Sequence, residues 1–207
     1  FQTDESGKFK EQEVPADLQP AVETAREALI EMVAEVDEAL MEKFFEAGTL
    51  TDEELVTGLR AAVLSAKLYP LVCTSATVNI GVPQLLDAVV GLLPSPADRP
   101  FKARARDGSA LERKAEDKAP TSAYVWKTIA DPFAGRITMF RVVSGSLKSD
   151  STVQNKTRDT QERFGTLQLL QGKTPSSVPE IKAGDLGAVA KLKDTLTNDT
   201  LGDKSDP

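Results

Sequence analysis

Lys127–Gly145, KTIADPFAGRITMFRVVSG, is the stretch whose reading decides the fold. Thr128-Ile129-Ala130 reads as the end of one strand, Asp131-Pro132 with Gly135 as a turn, and Ile137 to Val143, rich in β-branched and aromatic residues, as a second strand. That pattern predicts a β-hairpin that founds a small all-β domain. Outward from it, glycine-bearing turns at Ser144-Gly145-Ser146 and Gly184-Asp185, with the alternation from Leu186 to Leu192, predict closure of a compact barrel. The expected strands are 121–130, 137–143, 151–155, 163–170 and 186–192, with Gln171 to Pro179 as a loop.

Upstream the periodicity changes from two to between three and four. Leu18, Val22, Ala25, Leu29, Val33, Val36, Leu40 and Phe44 form one apolar stripe, which predicts a single long helix stopped at Gly48. Glu23, Glu27, Glu31, Glu35, Glu38 and Glu42 lie beside the stripe. They read either as a solvated face or as a docking surface for a basic protein. A second helix starts at Thr51, which caps it with Glu54 at the third helical position, and Leu50 reaches forward to Leu55 as a hydrophobic staple. Leu68 to Thr74, LYPLVCT, predicts a buried strand, followed by the loop Ser75 to Gly81 and a helix that opens at Pro83 and runs to Leu93. Strand, loop and helix make half of a parallel βαβ unit, and no upstream segment supplies the rest of a sheet. Ahead of the long helix, Glu5 to Lys8 reads as a tight turn.

The fold class expected is therefore α/β plus all-β: acidic helices and a partial α/β unit, then a β-barrel. The expected domains are 1–68, 69–96, a linker at 97–119, where prolines, small residues and alternating charges replace periodic apolar ones, and 120–207.

Charge is divided along the chain. Residues 1–60 carry 16 acidic and 5 basic side chains, a balance of −11, whereas 61–207 carry 16 acidic and 20 basic, a balance of +4. The first part repels nucleic acid and attracts a basic partner, while the second tolerates a phosphate backbone nearby. Lys127, Arg136, Arg141, Lys156, Arg158 and Arg163 read as solubilising surface or as RNA contacts, and Trp126 and Phe140 read as core. A single cysteine, Cys73, excludes an internal disulfide and a multi-thiolate zinc site. The absence of histidine removes Ser-His-Asp and Cys-His catalysis and imidazole ligation. No apolar run approaches a membrane span, so the expectation is a soluble, cytoplasmic protein with no membrane partner.

No glycine-rich loop ending in Gly-Lys-Ser/Thr occurs, and no Asn-Lys-x-Asp string. Without a phosphate cradle or a metal-binding carboxylate pair, this chain alone is expected to hydrolyse no nucleotide, and neither catalytic nor metal-ligating residues are assigned. Cys73-Thr74-Ser75-Ala76 reads as an ordinary strand-to-helix loop, or as one whose Ser75 and Ala76 amides face a guanine carbonyl.

Three separated strings resemble elongation factor G, in that family's order. ESGKFKEQEVPADL with the acidic helix resembles the subdomain inserted in its GTPase domain; CTSATVNIGVPQLLDAVVGLLPSP resembles its last guanine-loop motif and closing helix; KTIADPFAGRITMFRVVSGSLKSDSTVQN with IKAGDLGAVAKLKDTLTNDTL resembles its second domain, a β-barrel. The resemblance implies a middle fragment of a translational GTPase that moves tRNA and mRNA on the ribosome, with GTP or GDP and magnesium bound by the full-length parent and not tightly by this chain. It implies that Ser75 and Ala76 contribute to guanine recognition. It implies further that the helix bearing Glu23, Glu27, Glu31 and Glu35 faces a basic ribosomal stalk protein, and that the barrel, with Lys127 and Arg136, lies against small-subunit rRNA. Two features depart from the family pattern: Thr74 where glycine is usual, and the proline-bearing 171–179 loop. A free-standing protein- or RNA-binding module, and a factor of the ribosome-protection type, are the alternatives.

Overall fold

A computed structural model describes Ser6, Lys8, Lys10 and residues 12–105, 107–172 and 174–204. Of the turn expected at Glu5 to Lys8, only Ser6 and Lys8 fall among them. The chain divides into two compact units, Phe1–Leu93 and Pro94–Pro207.

Unit 1 holds four helices: α1 Gln19–Ala34, α2 Glu38–Ala47, α3 Asp52–Leu64 and α4 Val82–Leu92. The single long helix expected from the apolar stripe is two helices. Asp37 is the reason: its carboxylate accepts from the amides of Ala39 and Leu40 and caps a new helix. The Lys67 ammonium donates to the Val36 carbonyl at the break. Gly48 ends α2 in the left-handed conformation, as the sequence predicts. Thr51 and Glu54 form the reciprocal capping box of α3, and Leu50 and Leu55 are buried in one cluster with Ile30, Val33 and Ala34. Gly58 brings α3 close to α1 and α2. A Cβ there would stand 2.5 Å from Val33 Cγ1 and 2.6 Å from Leu40 Cδ1.

Two expectations fail in this unit. Leu18 and Val22, at the head of the stripe, are exposed, because the cluster begins only at Leu29 and Ile30. The buried strand at Leu68 to Thr74 is neither a strand nor buried: Leu71 is 94% and Tyr69 80% exposed. Apolar composition calls for burial, but a strand needs a neighbour to take its amides and carbonyls, and no described strand lies beside it. Helix α4 follows suit, with Leu86, Val89, Val90 and Leu93 exposed.

Unit 2 is all β. Its eight-stranded antiparallel sheet has the order β7-β6-β12-β3-β4-β11-β8-β9, where β3 is Ser122–Asp131, β4 Gly135–Ser144, β6 Thr152–Asn155, β7 Thr160–Arg163, β8 Leu167–Gln171, β9 Thr174–Val178, β11 Leu186–Ala190 and β12 Thr200–Gly202. A separate two-stranded ribbon pairs β5, Ser146–Lys148, which runs on to β6, with β10, Glu180–Lys182, which follows β9. Ser149 fastens this corner: its amide donates to Pro179 O, its hydroxyl donates to Val178 O, and its Oγ accepts from the Leu167 amide. The result is the expected barrel-like domain.

The interior is filled by Val125, Phe140, Val142, Leu147, Phe164, Leu167, Ile181, Val189 and Leu201. The Phe140 and Phe164 rings stack with centroids 5.7 Å apart. Gly145 takes a positive φ where a Cβ would meet Thr121 Cα at 2.6 Å, so the turn after β4 requires glycine. Trp126 is 42% exposed rather than core. A bulge between Val125 and Lys127 leaves it without a cross-strand partner and turns its ring outward. The single strand expected over 163–170 is split at Phe164–Thr166, and most of the expected 171–179 loop is β9. The expected linker at 97–119 contains a hairpin, β1 Phe101–Arg104 paired with β2 Ala110–Arg113. Among the described residues, no helix is long and apolar enough to cross a membrane.

Candidate functional site

In unit 1, Glu23, Glu27 and Glu31 stand at four-residue intervals on α1, and Glu35 is its C-cap. All four are exposed. Spacing of one turn puts them on one face at a rise of about 6 Å per step. The loop after the extended stretch is closed by a bridge between Ser75 and Ile80, with the Ser75 amide donating to Ile80 O at 2.9 Å and the Ile80 amide donating to Ser75 O at 3.0 Å. The amide expected at Ser75 to face a guanine carbonyl is therefore committed to the loop itself. Ala76 is exposed, and its carbonyl, not its amide, enters the loop's bonding through Asn79.

In unit 2, the β3–β4 hairpin ends in a tip held by Asp131, whose carboxylate accepts from the amides of Ala134 at 2.7 Å and Phe133 at 2.9 Å. Those bonds, that of Ala134 foremost, hold the Asp131 carboxyl below its usual range. Phe133 is left 97% exposed at a fixed position. Lys127 is exposed on β3 opposite Met139. Arg136 is exposed but engaged: its guanidinium donates to Lys193 O and Thr195 O, each at 3.3 Å.

Those carbonyls belong to the segment Lys191–Asp199, which is pinned by two buried carboxylates that sequence reading does not single out. Glu162, 2% exposed, accepts from the amides of Lys193 at 3.0 Å, Asp194 at 2.8 Å and Thr195 at 2.9 Å, and from the Thr195 hydroxyl at 2.8 Å. Asp199 accepts from the Leu196 amide at 2.8 Å, Asn155 Nδ2 at 2.9 Å and Arg158 Nε at 2.6 Å. For each, burial works to raise the carboxyl pKa, and the hydrogen bonds together outweigh it, so both lie below their ordinary values. The Tyr124 hydroxyl donates to Asn198 and the Thr128 amide to Thr197 Oγ1 on the same segment. Carboxylates so fully used are structural, and neither is poised to move a proton. Among the described residues, no group of three or more His, Cys, Asp or Glu can hold a metal ion.

A family model described as Elongation factor G domain 2 matches residues 120–204, the span from just before β3 to just after β12. Residues 120–204 are thus similar to the second domain of that family. The matched span contains the Asp131 tip, Arg136 and the Lys191–Asp199 segment. Both units together resemble a solved protein from Thermus thermophilus, at 30% identity and a TM-score of 0.77 over 98% of this chain. The chain spans 28% of the length of that protein. Fold and order of elements thus agree with a fragment of the elongation factor G family.

Proposed function

We propose that the chain is part of a translational GTPase of the elongation factor G type, which promotes GTP-dependent translocation of tRNA and mRNA on the ribosome in the cytoplasm. The observation that carries this reading is the domain 2 match over the whole barrel, in sequence with an acidic helical unit. Domain 2 lies against small-subunit rRNA, with Lys127 and Arg136 on the contacting side. In support, Pro94–Pro207 holds 19 basic and 15 acidic residues, a balance of +4, against −11 for the first unit. The exposed row Glu23, Glu27, Glu31 and Glu35 docks a basic stalk protein.

The guanine nucleotide, with magnesium, belongs to the parent. The residues here fit only one edge of its base: the amide of exposed Ala76 is a donor that the Ser75–Ile80 loop leaves over, and Ser75 supplies a small side chain beside it. When bound, the nucleotide supplies the phosphate bond whose hydrolysis drives the cycle, and this chain orients the base alone.

The test is binding of the isolated basic stalk domain to the chain at low salt, with Glu27→Lys, Glu31→Lys and Glu35→Lys combined. The expected outcome is a loss of affinity of tenfold or more that shrinks as salt is raised, since screening weakens exposed charge pairs. Unchanged affinity removes the docking role of α1.

A further inference from the structure

Helix α2 has two faces set by its spacing. Leu40 and Phe44 pack against the buried cluster of unit 1. That leaves Glu38, Met41, Glu42 and Phe45, at intervals of three and four residues, together on another side of the helix. The rings of Phe44 and Phe45 diverge, with centroids 6.2 Å apart and planes at 53°, and Phe45 is 77% exposed.

This face and the end of α1 line a cavity of about 500 Å³. Val36, Met41 and Phe45 give it an apolar wall, while Glu35, Asp37, Glu38 and Glu42 set four carboxylates against one cation, Lys67. The Lys67 ammonium is already engaged, donating to Val36 O at 3.0 Å, and Lys43, on the same helix, pairs with Glu54. The carboxylates of Glu35, Glu38 and Glu42 have no hydrogen bond or ion pair to any described residue. A hollow lined mainly by one sign of charge draws the opposite sign, and an exposed apolar surface rimmed by polar groups marks a place of contact.

We propose that this groove receives a basic amphipathic helix of a protein partner, with an apolar side chain seated on Met41 and Phe45 and Lys or Arg side chains against Glu38 and Glu42. Charge complementarity fixes the sign of the partner, and the apolar wall fixes its kind. A small cation would leave Phe45 in water, and an apolar segment would leave the carboxylates unmet. A helix meets both demands, because Glu38 and Glu42 stand one turn apart, about 6 Å, the spacing at which a helix presents successive cations beside an apolar anchor. This goes beyond the docking of α1, which needs charge alone, whereas the groove needs the apolar wall of α2. Glu23 and Glu27 are not among the residues that line the cavity, so the two can fail separately.

The experiment measures fluorescence polarisation of a labelled peptide of about 15 residues, with Leu and Lys placed at helical spacing, against the full chain. At about 50 mM salt the peptide is expected to bind the wild type, tenfold or more weakly Phe45→Gln, and nearly as well as wild type Phe45→Leu. Val56→Gln, at an apolar position of α3 that is 63% exposed and outside the cavity, is the control and leaves binding unchanged. The loss in Phe45→Gln persists at about 300 mM salt, whereas the loss in Glu38→Gln/Glu42→Gln shrinks there, since screening weakens exposed charge pairs. Oligolysine of equal charge binds at least tenfold more weakly than the peptide. Glutamine suits a helix interior, circular dichroism checks each variant, and the Glu38/Glu42 pair decides if Phe45→Gln loses helix. No peptide binding, equal loss in Val56→Gln, or oligolysine binding as tightly as the peptide overturns the proposal. Loss confined to Glu23→Lys/Glu27→Lys, with Phe45→Gln unaffected, overturns the groove and leaves the docking of α1 standing.

Discussion

Glu162 carries much of the barrel's local order outside the apolar core. Four hydrogen bonds to it fix Lys193, Asp194 and Thr195 in the segment that Arg136 caps from the other side. Replacement by glutamine keeps the shape but turns an acceptor-only group into one that presents N–H to N–H. Glu162→Gln is therefore expected to cost about 2–3 kcal/mol at neutral pH, measured by urea unfolding. The pH dependence has a definite sign. A carboxyl whose folded pKa is depressed contributes stability that is present above its unfolded value, about 4.3, and is lost as pH falls through the folded value. The gap between wild type and Glu162→Gln is expected to be widest near neutral pH and to close as the medium is acidified below about pH 4. An equal gap at both ends of the range argues against an ionised Glu162 in the folded protein. The sequence gives little notice of this role, since Glu162 stands between Gln161 and Arg163 like any surface charge.

At the scale of elements, the break between α1 and α2 shows how a local polar choice overrides a long periodic pattern. The apolar stripe runs on through Val36, Leu40 and Phe44, yet Asp37 offers the chain a capped restart. Asp37→Ala is expected to destabilise unit 1 by about 1 kcal/mol, the usual worth of an N-cap, read from the urea unfolding of the helical signal. A rise in helical content with no loss of stability would mean that the two helices had fused, and that Asp37 serves to interrupt rather than to stabilise. Strands divide in the same way. β3, β4, β6 and β11 were legible from alternation and turn residues, because each has one face in the core. β5, β10 and β12 have only three residues each, too few for a period of two to register.

For the whole molecule, what matters is how much apolar surface is covered. Unit 2 closes around its own cluster, whereas unit 1 leaves Tyr69, Leu71, Leu86 and Val90 at least 60% exposed. Exposed apolar surface binds hydrophobic dyes and promotes association. Leu71→Asp with Val90→Asp is expected to lower dye fluorescence several-fold while leaving the thermal midpoint within about 2 °C, because neither side chain has core contacts to lose. A large drop in the midpoint would mean that these residues are buried in solution. By itself the sequence determined the division of charge, the hairpin founded on Asp131–Gly135, the capping box at Thr51 and the family domain that the barrel resembles, all of which are written in residues close together along the chain. Tertiary structure alone decided that Leu68 to Thr74 stays unpaired, that Trp126 turns outward at a bulge and that Arg136 is spent on carbonyls. The physical reason is common to these cases: pairing, burial and the gathering of charges depend on partners distant in sequence, which local pattern does not encode.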